Sequence, residues 1–116
     1  MIEKTIYDYL SGSNLGASVY MERPENIPTG SFIVIEKTGE SEKNILRRSI
    51  IAIQCYSTSL YNAAALAALI ISKMESINVG SVASVKLNNS YNFTKSDSKE
   101  YRYQAVFEVY WYQEEN

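Results

Sequence analysis

Apolar residues recur along this chain with two periods, and the switches between them divide it into elements. In residues 2–11, Ile2, Ile6 and Leu10 are spaced by four with Tyr9 beside them, which predicts a short helix with one apolar stripe. Ser11-Gly12-Ser13-Asn14 ends it, and Gly16 marks a turn. Residues 17–22 predict a strand with Val19 and Met21 on one side. Residues 23–30 (RPENIPTG) hold two prolines in a short space and predict a loop. Residues 31–38 (SFIVIEKT) are a β-branched run and predict a second strand. Residues 39–44 (GESEKN) are polar and charged, as expected of a hairpin loop.

Residues 45–56 alternate cleanly. Ser49, Ile51, Ile53 and Cys55 share one face of the predicted strand, and Leu46, Arg48, Ile50, Ala52, Gln54 and Tyr56 share the other. Neither face is fully polar, so both are expected to be partly covered. The cluster Ser57-Thr58-Ser59 offers a cap for a helix over residues 60–77. Residues 82–87 predict a strand, and residues 88–99 (NNSYNFTKSDSK) a loop or ragged hairpin. Residues 100–113 form the last strand, with Tyr101, Tyr103, Ala105, Phe107, Val109 and Trp111 toward the core.

The order is α-β-β-β-α-β-β. It predicts an α+β fold in which two helices pack on one face of an antiparallel or mixed sheet of about five strands. With 116 residues the chain is one domain, 1–116, and buries roughly two-thirds of its unfolded surface. No apolar run suggests a membrane span, and the N-terminus MIEKTIYDYL lacks the apolar core of a signal peptide. The single cysteine excludes an internal disulfide and fits synthesis in a reducing cytosol.

The helix over residues 60–77 is unusual. Ala63, Leu66, Ala67, Ile70, Met74 and Ile77 fall together on a wheel, and Leu60, Ala64, Leu69 and Ile71 widen the arc past half the circumference. A surface helix has an apolar stripe of about 100° and a charged back. Here the back holds Ala65, Ala68 and Ser72. Two readings follow: the helix lies under a concave sheet with the first helix alongside and its alanines serve helix propensity, or its small-residue side lets another chain approach closely. The second sheet face raises the same question, because Ile50, Ala52, Tyr56, Val106, Tyr110 and Tyr112 all fall on it. Contiguous apolar surface there marks an interaction site, so Arg48, Ile50 and Tyr56 with Arg102, Val106, Tyr110 and Tyr112 are candidate interface residues, as are Ala65, Ala68 and Ser72.

The inventory for chemistry is thin. There is no histidine, which excludes Ser-His-Asp and Cys-His arrangements. Cys55 lies on the core face of a strand and reads as a small buried hydrophobe. No spacing resembles a calcium loop or a phosphate-binding glycine loop. Glu108, in mid-strand, is expected to pair with Arg48 or Arg102 across strands. A net charge of -2 argues against specific nucleic-acid binding. An enzyme is the least favoured class; no metal, cofactor or catalytic residue is expected. The ten tyrosines point weakly to contact surfaces.

One family resemblance covers most of the chain. A short helix leads through Leu15-Gly16 to Val19-Tyr20. The Pro-bearing loop from Arg23-Pro24 to Pro28 precedes Phe32-Ile33-Val34-Ile35. The long strand over 50–56 runs into the Ala-rich helix with Asn62-Ala63-Ala64-Ala65-Leu66-Ala67, and an aromatic strand over 101–112 follows. This arrangement resembles the tail terminator (tail completion, tail-to-head joining) proteins of long-tailed bacteriophages and prophages, although the family's helix is usually more acidic. The resemblance implies a non-enzymatic virion part at the tail–head junction, made in the bacterial host cytoplasm. It implies a homo-oligomeric ring, typically a hexamer, that caps the tail tube, ends its polymerisation and docks the head–tail connector. Loop contacts to tube or connector are then expected from the longest polar projections, at Glu40, Glu42 and Lys43 and at Tyr91, Phe93 and Lys95. The alternatives are a head-completion or neck protein of the same virion, and a small cytosolic ligand-binding or regulatory α+β domain.

Overall fold

The computed structural model describes residues 1–43, 45–97 and 99–113, apart from the side chains of Glu42 and Lys43. Its elements are α1 (Ile2–Ser11), β1 (Ser18–Tyr20), β2 (Phe32–Lys43), β3 (Leu46–Ser57), α2 (Leu60–Glu75), β4 (Val82–Asn92) and β5 (Tyr101–Tyr112). The strands form one mixed sheet in the order β1-β2-β3-β5-β4. β1 runs parallel to β2, and every other pairing is antiparallel. The α+β class and the order α-β-β-β-α-β-β are as expected from the sequence.

Both helices pack on the same face. Ile2, Ile6 and Leu10 of α1 and Leu66, Ala67, Ile70 and Met74 of α2 share one buried cluster with Ile33, Ile35, Ile51, Ile53, Cys55, Ala105, Phe107 and Val109. Those are the alternate positions of β2, β3 and β5 brought side by side by register: Ile35 opposite Ile53, Ile53 opposite Ala105, Ile51 opposite Phe107. Ser59 caps α2, its hydroxyl accepting from the Asn62 backbone N–H at 3.1 Å. The Tyr9 hydroxyl donates to the Lys73 carbonyl at 2.7 Å and ties α1 to α2.

The sheet is longer than its helices. Strands of twelve residues span about 40 Å at ~3.3 Å per residue, whereas the sixteen residues of α2 span about 24 Å. The long dimension of the molecule, 44 Å, is therefore set by the strands. Toward the β2–β3 turn the helix-facing positions change from apolar to polar. Lys37, Glu40, Arg47 and Ser49 stand there, with Trp111 closing the core. The Trp111 indole N–H donates to the buried Ser49 hydroxyl at 2.9 Å, and Arg47 sits 5.8 Å from the ring centre.

Two strands outrun their predicted lengths for one reason. A bulge between Lys37 and Gly39 shifts the phase of β2: Ile33, Ile35 and Lys37 face the helices before it, Glu40 after it. Pairing with β3 continues through Glu40, Ser41, Glu42 and Lys43, so the expected loop over 39–44 is strand as far as Lys43; Asn44 lies outside the described residues. A bulge between Leu87 and Asn89 does the same in β4, which continues to Asn92. In each case the alternation breaks at the extra residue although the pairing does not.

α2 lies under the sheet with α1 alongside, and its outer side is not core within the chain. α2 buries Ala63, Leu66, Ala67, Ile70 and Met74, but Ala65, Ala68 and Ser72 are exposed, as are Leu60, Leu69 and Tyr61, the last at 81%. A two-layer fold has no third layer to cover that side. Cys55 is fully buried, and burial pushes its thiol pKa up to about 12. Phe107→Ala should cost about 3–5 kcal/mol in urea denaturation, while Tyr61→Ala should stay within about 0.5 kcal/mol. Cys55 should react with iodoacetamide only as fast as the whole domain opens, which mass spectrometry of a labelling time course would check.

Candidate functional site

The surfaces available for contact are the second face of the sheet and the outer side of α2. The second face is built from the positions that alternate with the core: Arg48, Ile50, Ala52, Gln54 and Tyr56 on β3, and Arg102, Gln104, Val106, Glu108 and Tyr110 on β5. Nearest the β2–β3 turn, Arg48 lies opposite Tyr110 and pairs with Glu108, its Nε donating to Oε1 at 2.8 Å while Nη2 reaches the same oxygen. Glu108 holds the Arg48 guanidinium above its ordinary pKa. This is the cross-strand pair expected of Glu108; Arg102 takes no part in it. Ile50, Val106 and Tyr110 beside it are half-buried, and Tyr112 is 48% exposed.

A polar rung crosses the middle of the face. Gln54 Nε2 donates to Gln104 Oε1 at 3.1 Å and to Glu36 Oε2 at 3.4 Å, and Gln104 Nε2 donates to the Tyr91 hydroxyl at 2.6 Å. The rung links four strands, and the β4 bulge makes it possible: alternation continued from Leu87 without a bulge would turn Tyr91 to the helix layer.

Beyond the rung is a second small apolar cluster of Phe32, Val34 and Tyr56, with Tyr20 against it. Phe32 and Tyr56 stack with ring centres 4.4 Å apart and an interplanar angle of 4°, and Tyr20 meets Phe32 edge-on at 6.0 Å. No helix covers this cluster; two guanidinium groups do. Arg102 lies 5.5 Å from the Tyr56 ring centre, donates to its hydroxyl at 3.0 Å and to the Phe93 carbonyl at 3.1 Å, and lies 4.3 Å from the Phe93 ring. Arg23 approaches from the loop over 21–30, 5.4 Å from the Tyr56 ring. Tyr56 is consequently only 2% exposed, and Ala52 likewise 2%. The continuous open apolar patch expected on this face is thus interrupted. Of its candidate residues, Ile50, Val106, Tyr110 and Tyr112 remain accessible and Tyr56 does not.

The expected loop contacts divide in the same way. Glu40 stays exposed on the helix side of the sheet: it accepts from Lys37 Nζ at 3.3 Å and from the Ser49 hydroxyl at 3.2 Å, with Arg47 at 3.7 Å. Desolvation works against its charge, but these partners prevail and hold its pKa below the ordinary range. Glu42 and Lys43 stand opposite Arg47 and Leu46 in β2. Tyr91 belongs to the rung, Phe93 packs edge-on against it at 5.7 Å, and Lys95 is exposed beside a hollow of about 600 Å³. Arg23 and Glu100 also border that hollow and form a two-oxygen ion pair at 2.9 and 2.5 Å. The sequence reading missed this pair, whose members stand 77 positions apart, Arg23 in a loop and Glu100 at the start of the last predicted strand. The cover over Phe32 and Val34 did have a local signal: four consecutive apolar residues, 32–35, in a strand mean that both faces are buried.

Among the described residues no group of three or more His, Cys, Asp or Glu side chains is placed to hold a metal ion, and no helix is long and apolar enough to cross a membrane. No protein-family model and no curated protein matches the chain. A solved structure does: a chain from the virion of a native gene transfer agent particle aligns over 93% of this chain and 92% of its own length, with a TM-score of 0.70 and 14% identity. The two chains share one fold from end to end.

Proposed function

We propose that this protein is a non-enzymatic structural component of a phage-type virion, and within it a tail terminator. Copies of the chain assemble into a ring, a hexamer by the family resemblance. The ring caps the completed tail tube, ends its polymerisation and offers its other side to the head–tail connector. The observation that carries the reading is the end-to-end fold likeness to a chain of a gene transfer agent virion. It comes from a comparison independent of the tail-terminator pattern read in the sequence, and the two agree on a particle-forming protein. The surface chemistry supports the same class, because the exposed side chains offer apolar and aromatic contact area rather than a constellation for turnover.

In this reading the outer side of α2, with Ala65, Ala68 and Ser72, and the open part of the second sheet face, with Ile50, Val106, Tyr110 and Tyr112, meet neighbouring copies. Arg48 and Arg102 stay committed to partners within the chain. Phe93 and Lys95, at the end of the molecule that carries the hollow, are the exposed contacts for tube or connector.

Size-exclusion chromatography with light scattering, and negative-stain imaging, should show rings for the protein alone or on ends of its tail tubes. Co-expression with the tube protein should limit tube length. A strict monomer that neither binds tube ends nor limits their length would refute the proposal. Ala68→Glu places a charge on an exposed helix position, so the melting transition should move by no more than about 0.5 kcal/mol. The same variant should lose ring assembly, which light scattering alongside circular dichroism would measure.

A further inference from the structure

β1 runs parallel to β2, so the chain that leaves β1 at Tyr20, beside Val34, must travel back to enter β2 at Phe32. The loop over 21–30 makes that return. Its base is closed, with the Ser18 N–H donating to the Ser31 carbonyl at 3.2 Å and the Ser31 and Ser57 hydroxyls 2.7 Å apart. Pro24 and Pro28 stiffen the segment between. Among the described residues, Arg23 alone in this loop makes side-chain hydrogen bonds, and both go to Glu100 at the foot of β5. The same guanidinium lies over Tyr56. The two partners are 46% and 39% exposed, a setting in which an ion pair is weak and screened by salt. What the loop helps to cover is almost fully buried: Phe32, Val34 and Tyr56 are 3%, 5% and 2% accessible.

We infer that the loop over 21–30 is a hinged cover, latched by Arg23 to a catch at Glu100, and that release of this ion pair opens the side of the Phe32–Val34–Tyr56 cluster that Arg23 covers, with Arg102 staying on Tyr56 and the fold intact. The asymmetry between a weak, wet latch and a dry aromatic patch carries the inference. The stiff loop lifts as one piece because, among the described residues, its side-chain hydrogen bonds are made by Arg23 alone. Met21, 40% exposed, and Ile27, 46% exposed, are already on the same loop, so opening joins them to the sheet cluster as one apolar surface.

Hydroxyl-radical footprinting read by mass spectrometry tests this directly, with Tyr56 as reporter and the open Tyr61 as internal standard. Glu100→Gln leaves Arg23 in the loop but removes its charged catch; it should raise Tyr56 modification several-fold relative to Tyr61. Arg23→Gln should match it, and the charge swap Arg23→Glu with Glu100→Arg should restore protection. Raising salt from ~0.05 M to ~1 M, where the screening length falls to about 3 Å, should have the same effect on the unmodified protein. Cys55 should stay unreactive throughout, which separates opening of the cover from unfolding. Tyr56 that stays protected in both single variants and in high salt overturns the inference, as does exposure of Tyr56 only together with Cys55. If either variant fails to fold, the salt series on the unmodified protein decides alone.

Discussion

The unbroken pairing of β3 with β5 is the constraint on which the other elements depend. Twelve residue pairs run from Leu46 opposite Tyr112 to Ser57 opposite Tyr101 without a register shift. That ladder places Ile51, Ile53 and Cys55 beside Phe107, Ala105 and Tyr103 on one face, and Arg48, Ile50 and Gln54 beside Tyr110, Glu108 and Gln104 on the other. A one-residue slip would exchange the two faces along the whole length. It would bury Arg48, Glu108 and Gln54 under α2, at a cost far beyond the stability of a small domain. β2 and β4 pair with this central ladder and carry all the irregularity, while the helices cover whatever apolar face it presents.

This explains which parts of the architecture were legible in the amino-acid sequence. Residues 45–56 and 100–113 alternate without interruption, so their faces could be read residue by residue. α1 and the buried stripe of α2 follow from spacing alone. The far ends of β2 and β4 were hidden, because at Thr38 and Asn88 one extra residue breaks the alternation while hydrogen bonding continues. The polar composition of 39–44 and 88–92 then looked like loop. The candidate surfaces were legible in part. Positions on the second face followed from parity, but the closing of Tyr56 by Arg23 and Arg102 depends on a contact between distant segments, which no local pattern encodes.

The second face also shows how a half-covered sheet satisfies its own surface. Polar side chains there are mostly spent on one another, in the Arg48–Glu108 pair and the Glu36–Gln54–Gln104–Tyr91 rung. The outer side of α2 is different in kind. It is small, uncharged at Ala65, Ala68 and Ser72, and without comparable side-chain hydrogen bonds among the described residues. The two surfaces would meet a neighbour differently, the sheet by shape and aromatic contact between fixed polar groups, the helix by close backbone approach.

The bulge in β2 has a consequence for how such a chain can vary. It is a phase change of one residue in a strand whose pairing continues on both sides, so everything distal to it is read in the opposite parity. Deleting Thr38 would remove the bulge and leave every pair of the ladder in place, with Glu40 still opposite Ser49 on the helix side and Ser41 opposite Arg48 on the open face. A single-codon deletion at that point is thus absorbed by the bulge, and the tip of the hairpin keeps its sidedness. The bulge is where a chain of this architecture can gain or lose a residue while both faces of the hairpin keep their chemistry.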